Sequence, residues 1–155
     1  MKREPRKRID SAPQRGQVIV YSVAAFLTLL GLADATYLTV QHLTGATAVC
    51  GNSTGCFQVL GSKYSHLGPV PVAALGAIAY FSAFSLATFA ACGWARARRY
   101  FSWNVWLLFV ATLGLLSVQA FVLHAFCRYC LFSAAVTFLL AGLVIASVPG
   151  NESSR

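Results

Sequence analysis

Five cysteines carry the chemistry this sequence could perform: Cys50, Cys56, Cys92, Cys127 and Cys130. Two pairs stand out. Cys50 and Cys56 bracket a Gly-, Ser- and Thr-rich stretch, CGNSTGC, flexible enough to close or open a bridge. Cys127 and Cys130 form CRYC, a spacing that reads as a redox motif. Cysteines at i and i+3 at a helix start can reach disulfide geometry. The first turn there presents N–H groups and the positive end of the helix dipole, and Arg128 adds a cation between the pair. A thiolate so held is both a good leaving group and a nucleophile at neutral pH. Two permanent structural bridges would use the same four residues. A four-thiolate zinc site would too, but the second CxxC is missing and no metal is expected. Cys92 is expected to be an inert, buried small residue.

The chain that must position these thiols has 155 residues, 57% hydrophobic and only 10% charged, with a mean hydropathy of +0.66. A soluble domain carries about 25% charged residues. The same figures exclude disorder, a coiled coil and a collagen-like repeat. The net charge of +8 does not indicate nucleic acid, because the basic residues sit in blocks beside apolar runs. Residues 17–41, 69–92, 101–124 and 130–148 are four such runs. Each has roughly the 20 residues that a helix needs to cross a bilayer core, and helices satisfy the backbone in lipid. The chain divides into a basic segment, 1–16, a four-helix transmembrane domain, 17–148, and a tail, 149–155.

Orientation follows from Lys and Arg. Lys2, Arg3, Arg6, Lys7, Arg8 and Arg15 precede the first span, and Arg96, Arg98 and Arg99 join the second to the third. The opposite side has only Lys63 and Arg128. Both termini are therefore expected in the cytoplasm, with loop 42–68 and the joint near Cys127 facing outward. A cleaved signal peptide ending near Ala33-Asp34-Ala35 is disfavoured, since the apolar run is too long. This topology places four cysteines outside, where disulfides persist, and Cys92 at the cytoplasmic end.

With these residues assembled, the chain resembles the vitamin K epoxide reductase family, in its bacterial type that supports disulfide bond formation. The likeness runs through Cys50-x5-Cys56-x2-Val59-x2-Ser62-x-Tyr64, Gly68-x2-Pro71, Gly76-x3-Tyr80 and Cys127-x2-Cys130, across residues 17–148. In the unrelated DsbB proteins the CxxC pair follows the first helix, whereas here it follows the third. The resemblance implies an all-α membrane protein: a four-helix bundle around a quinone, with an outer loop capping it through a short helix over residues 57–66. It implies that Cys127 and Cys130 are the active pair, with Cys130 next to the quinone. Cys50 and Cys56 would be the shuttle pair, Cys56 passing electrons to Cys127. Ser62 matches a loop Ser/Thr thought to help the chemistry. Vertebrate members carry Asn where this chain has Val72, and Tyr where it has Ala134. Those departures favour plain quinone reduction over epoxide reduction. Some bacterial members carry a fused thioredoxin-like domain, but only residues 149–155 follow the last span here, so a separate partner is expected.

Polar residues in lipid are the remaining candidates. Asp34 lies inside the first span, where an ionisable group is a functional candidate by default. Two readings are open for it: pairing inside the bundle with a polar group such as Gln119 or Ser117, or a packing-level hydrogen bond near the outer end. Gln119 and His124, near CRYC, could donate to a quinone carbonyl or serve as structural hydrogen-bonding groups. The resulting expectation is a quinone-dependent thiol oxidoreductase of the plasma membrane, using ubiquinone or menaquinone. It would reoxidise a thioredoxin-like (DsbA-like) protein for extracytoplasmic disulfide formation. A disulfide-stapled structural protein and a metal-binding membrane protein are the alternatives.

Overall fold

The apolar runs are helical over nearly their whole length in the computed structural model, which describes residues 15–44, 66–67, 70–124 and 126–147. Helix α1 covers Arg15–Thr44. A two-residue strand β1, His66–Leu67, pairs antiparallel with β2, Val70–Pro71, in the register His66 with Pro71 and Leu67 with Val70. Helix α2 follows over Val72–Ala91 and α3 over Ala95–Ser117. A π-helical segment, Val118–Leu123, continues α3, and α4 spans Arg128–Ser147. All four helices are long and apolar enough to cross a membrane. Each packs against two others, in the cycle α1–α2–α3–α4 and back to α1. The protein is an all-α membrane bundle, with a minimal strand pair among the described residues.

Small residues let the helices approach. Ala24 and Ala35 on α1, Ala83, Ala87 and Ala90 on α2, and Ala97 on α3 are all buried. Lipid gives no hydrophobic drive between helices, so close packing at small residues supplies the attraction. Gly31 marks a close approach. A Cβ there would overlap the Tyr80 ring, so the missing side chain on α1 is what admits the α2 tyrosine. The outward faces are apolar as well: Ile19, Phe26, Ile78, Phe81, Trp103 and Leu107 are exposed. That inversion suits lipid as the solvent.

The joint between α2 and α3 turns within three residues. Gly93 has φ 93°, a left-handed conformation that favours glycine. Its N–H bonds Ala90 O at 3.1 Å, and Trp94 N–H bonds Phe89 O at 3.2 Å. This is the Schellman closure of a helix end, with its usual hydrophobic clasp in the Phe89 and Trp94 rings, 5.6 Å apart. Because the turn is so short, α3 begins at Ala95 rather than at the expected residue 101. Arg96, Arg98 and Arg99 are therefore helical. Apolarity marks where lipid begins, but a helix can extend past it when its long basic side chains reach water. Trp94, Tyr100 and Trp103 are exposed beside them, an aromatic belt at that end of the bundle.

Two further expectations change. Cys92 is exposed rather than buried, because it is the C-cap of α2 and stands past the packed stripe of Tyr80, Ala83, Ala87 and Ala90. Of the expected capping helix, residues 57–65 lie outside the described residues, and His66 belongs to β1. Pro71 cannot donate to an α-helical ladder and adopts an extended conformation, φ −67° and ψ 137°, so α2 starts at Val72 instead of residue 69.

Candidate active site

Cys127 is the residue on which α4 is capped. Its carbonyl accepts the first helical bond, from Leu131 N at 3.0 Å, and its side chain stands where Ser or Asp would normally cap. The sulfur accepts a hydrogen bond from the Cys130 thiol, and further ones from the backbone N–H groups of Cys130 and Tyr129. Together these hold the Cys127 thiol well below its usual range, at about 6. The Cys130 thiol contributes most, and burial opposes it. Next come the two N–H groups of the helix start, and the Arg128 charge contributes least. The helix terminus and the partner thiol, more than the intervening arginine, set the reactivity.

The two sulfurs are unequally accessible. Cys127 is wholly buried, at 0% exposure, whereas Cys130 is half-buried. Such an arrangement suits a division of labour, in which a sealed, ionised sulfur is matched with one that a second molecule can approach.

Gln119 fixes the pair from the neighbouring helix. It is buried at 3% exposure and lies in the π-helical segment that ends α3. Its Oε1 accepts from the Cys127 N–H at 3.3 Å. Its side chain also hydrogen-bonds Cys130, so one amide spans both cysteines. A π-helical turn holds more residues than an α turn and is often found at functional sites. The segment ends at His124, whose backbone is left-handed at φ 50° and ψ 30°. His124 itself is exposed. Of the two polar candidates on this helix, Gln119 reaches the cysteines through hydrogen bonds, whereas His124 lies at the rim.

A polar seam runs inward from Cys130 along α4. Ser133 and Thr137 follow on the same face, and Tyr80 from α2 closes it. The Tyr80 hydroxyl lies 2.9 Å from Ser133 Oγ, 2.9 Å from Thr137 Oγ1 and 3.1 Å from Ser133 O. Thr137 also donates to Ser133 O at 3.0 Å. Sequence reasoning assigns this seam no role, although Cys130, Ser133 and Thr137 at i, i+3 and i+7 are a polar stripe at helical spacing.

Asp34 enters from α1. Its carboxyl is close enough to interact electrostatically with both Cys127 and Cys130. Of the two readings, the pairing with Gln119 or Ser117 does not occur. Gln119 serves the cysteines, and Ser117 Oγ donates to Leu113 O in its own helix at 2.8 Å. Asp34 Oδ2 is buried without a hydrogen-bond partner among the described residues. One turn farther along α1, Tyr37 packs against Tyr129 with ring centroids 5.9 Å apart.

Cys50, Cys56 and Ser62 lie outside the described residues. Among the described residues, no three His, Cys, Asp or Glu side chains gather as a metal site. A sequence model of the vitamin K epoxide reductase family matches residues 22–145, from early in α1 to near the end of α4. No curated protein matches the chain.

Proposed function

Given that this chain belongs to the vitamin K epoxide reductase family, we propose that it oxidises a separate thioredoxin-like protein of DsbA type and passes the electrons to quinone. Membership implies membrane thiol–disulfide oxidoreductase chemistry that uses quinone. The finer reading assigns each cysteine a step. The reduced partner attacks a Cys50–Cys56 bridge through the loop. The Cys56 thiolate released then attacks Cys127 of a Cys127–Cys130 bridge, and Cys130 faces the quinone. Every step before the last is thiol–disulfide exchange, favoured by thiols that ionise near ambient pH. Ser62 is assigned a supporting role in the loop.

The single observation that carries this reading is the asymmetry of the CRYC pair. Cys127 caps a helix and ionises readily, which suits the sulfur that exchanges with another cysteine. Cys130 is half-buried and opens toward the bundle. The groups beside it that could meet a quinone are its own half-exposed sulfur and the Asp34 carboxyl, whose Oδ2 has no hydrogen-bond partner among the described residues. When bound, a quinone supplies the two-electron acceptor chemistry, while the protein supplies position and thiol tuning. Val72 is half-buried at the start of α2, and Ala134 is buried on α4. Neither offers the polar group found in vertebrate members, which supports quinone rather than epoxide reduction.

The reading extends to topology. Arg15 and the Arg96–Arg99 cluster lie at one end of the bundle and the CRYC pair at the other, as helix α3 runs from the first to the second. By the positive-inside rule the cysteine pairs face outward from the plasma membrane, with both termini in the cytoplasm.

Trapping the thiols with an alkylating reagent in living cells tests the function. Both pairs are expected as a mixture of oxidised and reduced forms that turns reduced when the quinone pool is reduced. Permanently oxidised pairs would instead identify a stapled scaffold, and reduced pairs with bound zinc a metal-handling protein.

A further inference from the structure

Cys127 opens α4 as its N-cap, so Cys130 stands at the third helical position. A Ser or Thr cap with Glu or Gln at that third position forms a capping box. The cap side chain takes the backbone N–H of the third residue, and the third side chain returns to the N–H of the cap. Only the first half is met inside α4. The Cys127 sulfur accepts from the Cys130 N–H, but the Cys130 thiol turns to the same sulfur and leaves the Cys127 N–H for another acceptor. Gln119 of the π-helical segment supplies it, with Oε1 lying 3.3 Å from that nitrogen. The second half of the box therefore comes from a different helix.

This bond also decides which way the amide faces. A backbone N–H can only donate, so Gln119 turns its oxygen to Cys127 and its NH2 group the other way. The side chain is buried, where a donor left without an acceptor is costly. The Cys130 sulfur is what it meets. In the reduced pair the hydrogen bonds then run in one direction. The Gln119 amide donates to the Cys130 sulfur, and the Cys130 thiol donates to the Cys127 sulfur, where the negative charge sits. Bonds in such a row polarise and strengthen one another. Closing the disulfide removes the S–H and the charge together, so the row exists only in the reduced form.

We propose that Gln119 sets the redox poise of the CRYC pair: anchored on the Cys127 N–H, its amide favours the dithiol and makes the disulfide a stronger oxidant. The inference rests on the functional reading above, in which the pair cycles between disulfide and dithiol. A disulfide whose reduced form is stabilised takes up electrons more readily, which suits the pair that receives them from Cys56. Gln119 acts through the sulfurs as a positioning residue and forms no covalent bond in the cycle.

Equilibration of the full-length purified protein in graded glutathione buffers at neutral pH tests this, with Cys127 and Cys130 read by alkylation and mass spectrometry. The protein disulfide and two glutathione thiols exchange for the protein dithiol and one glutathione disulfide, so electrons and protons balance. Gln119→Met keeps the length and loses both contacts. It should shift the equilibrium toward the protein disulfide by roughly tenfold, which is ~30 mV for a two-electron couple. Loss of packing alone predicts the opposite sign. A looser first turn lowers the effective concentration of one thiol at the other and makes the disulfide easier to reduce. Gln119→Glu keeps an oxygen for the Cys127 N–H, and with it the helix start, but offers Cys130 an acceptor in place of a donor. It should shift in the same direction by at least as much, and it decides the question if the Met variant does not fold. An equilibrium within about twofold of the parent's, or one moved toward the dithiol, in either folded variant overturns the inference. A parent pair that never takes up the disulfide across these buffers overturns the functional reading instead, so the two failures are distinguishable.

Discussion

Replacing Cys130 with alanine should stop electron transfer to quinone, by roughly the 10³-fold or more that follows loss of a reacting nucleophile, while the protein accumulates a Cys56–Cys127 mixed disulfide. The two effects have one origin. In the proposed relay, Cys56 attacks Cys127 and the bond to Cys130 is the one that breaks. Without Cys130 the linkage to Cys56 has no internal thiol to resolve it. A third consequence follows from the site itself. The Cys130 thiol is the largest of the influences that lower the ionisation range of Cys127. With that hydrogen bond gone, the backbone N–H groups of Tyr129 and residue 130 still cap the sulfur, but its labelling should need a higher pH. Proteolysis under non-reducing conditions with mass spectrometry reads the trapped linkage, and quinone absorbance reads the loss of turnover. Turnover within a few-fold of the parent would remove Cys130 from the quinone step.

Cys50→Ala should have an equally large effect on a different substrate. Oxidation of a reduced DsbA-like protein should fall to background, again roughly 10³-fold, because the loop then offers no disulfide for the partner to attack. The CRYC pair is untouched by this change. It should still form its disulfide with quinone present, and dithiothreitol, small enough to reach the pair directly, should still drive quinone reduction. That split between protein thiol and small thiol distinguishes two pairs in series from two independent bridges. If the partner is oxidised at the parent's rate, Cys50 is not the entry point.

The parts of this fold that were legible in the sequence are those determined by bulk composition. Four apolar runs of membrane length necessarily form helices, since an unpaired backbone is too costly in lipid. The ends were less legible. Nothing in apolarity shows that a Gly93 turn lets α3 begin at Ala95, or that extended Pro71 delays α2 to Val72. Register within the bundle was harder still. These spans are apolar on nearly every side, so periodicity gives little indication of which face turns inward. Cys92 could be placed at the end of α2 but not on the right face.

The same limit applies to the candidate site. The CRYC pair and its helix start were readable, because spacing, dipole and capping act within a single turn. Gln119 was a candidate for pairing with Asp34 or donating to a quinone, not for holding the cysteines. What brings it to the cysteines is the π-helical turn ending α3, which carries no plain sequence signature. His124, five residues on, looked equivalent and lies exposed at the rim. Asp34 was conspicuous as an acid in lipid, yet its neighbours belong to a helix more than ninety residues away in the chain, and only the packing of α1 against α4 supplies them. The Tyr80 seam depends on a contact of the same kind, since Gly31 makes room for a ring from another helix.

The central claim is that thiol electrons reach quinone through this protein, and purified full-length protein tests it most directly. Reduced DsbA-like protein and a short-chain ubiquinone are mixed with catalytic amounts of it, and quinone absorbance is followed while donor thiols are counted by alkylation. The account predicts quinone loss that depends on both the donor and the protein, with two donor thiols oxidised for each quinone reduced. Donor thiols that stay reduced, or quinone that stays oxidised, in the presence of folded protein would contradict it.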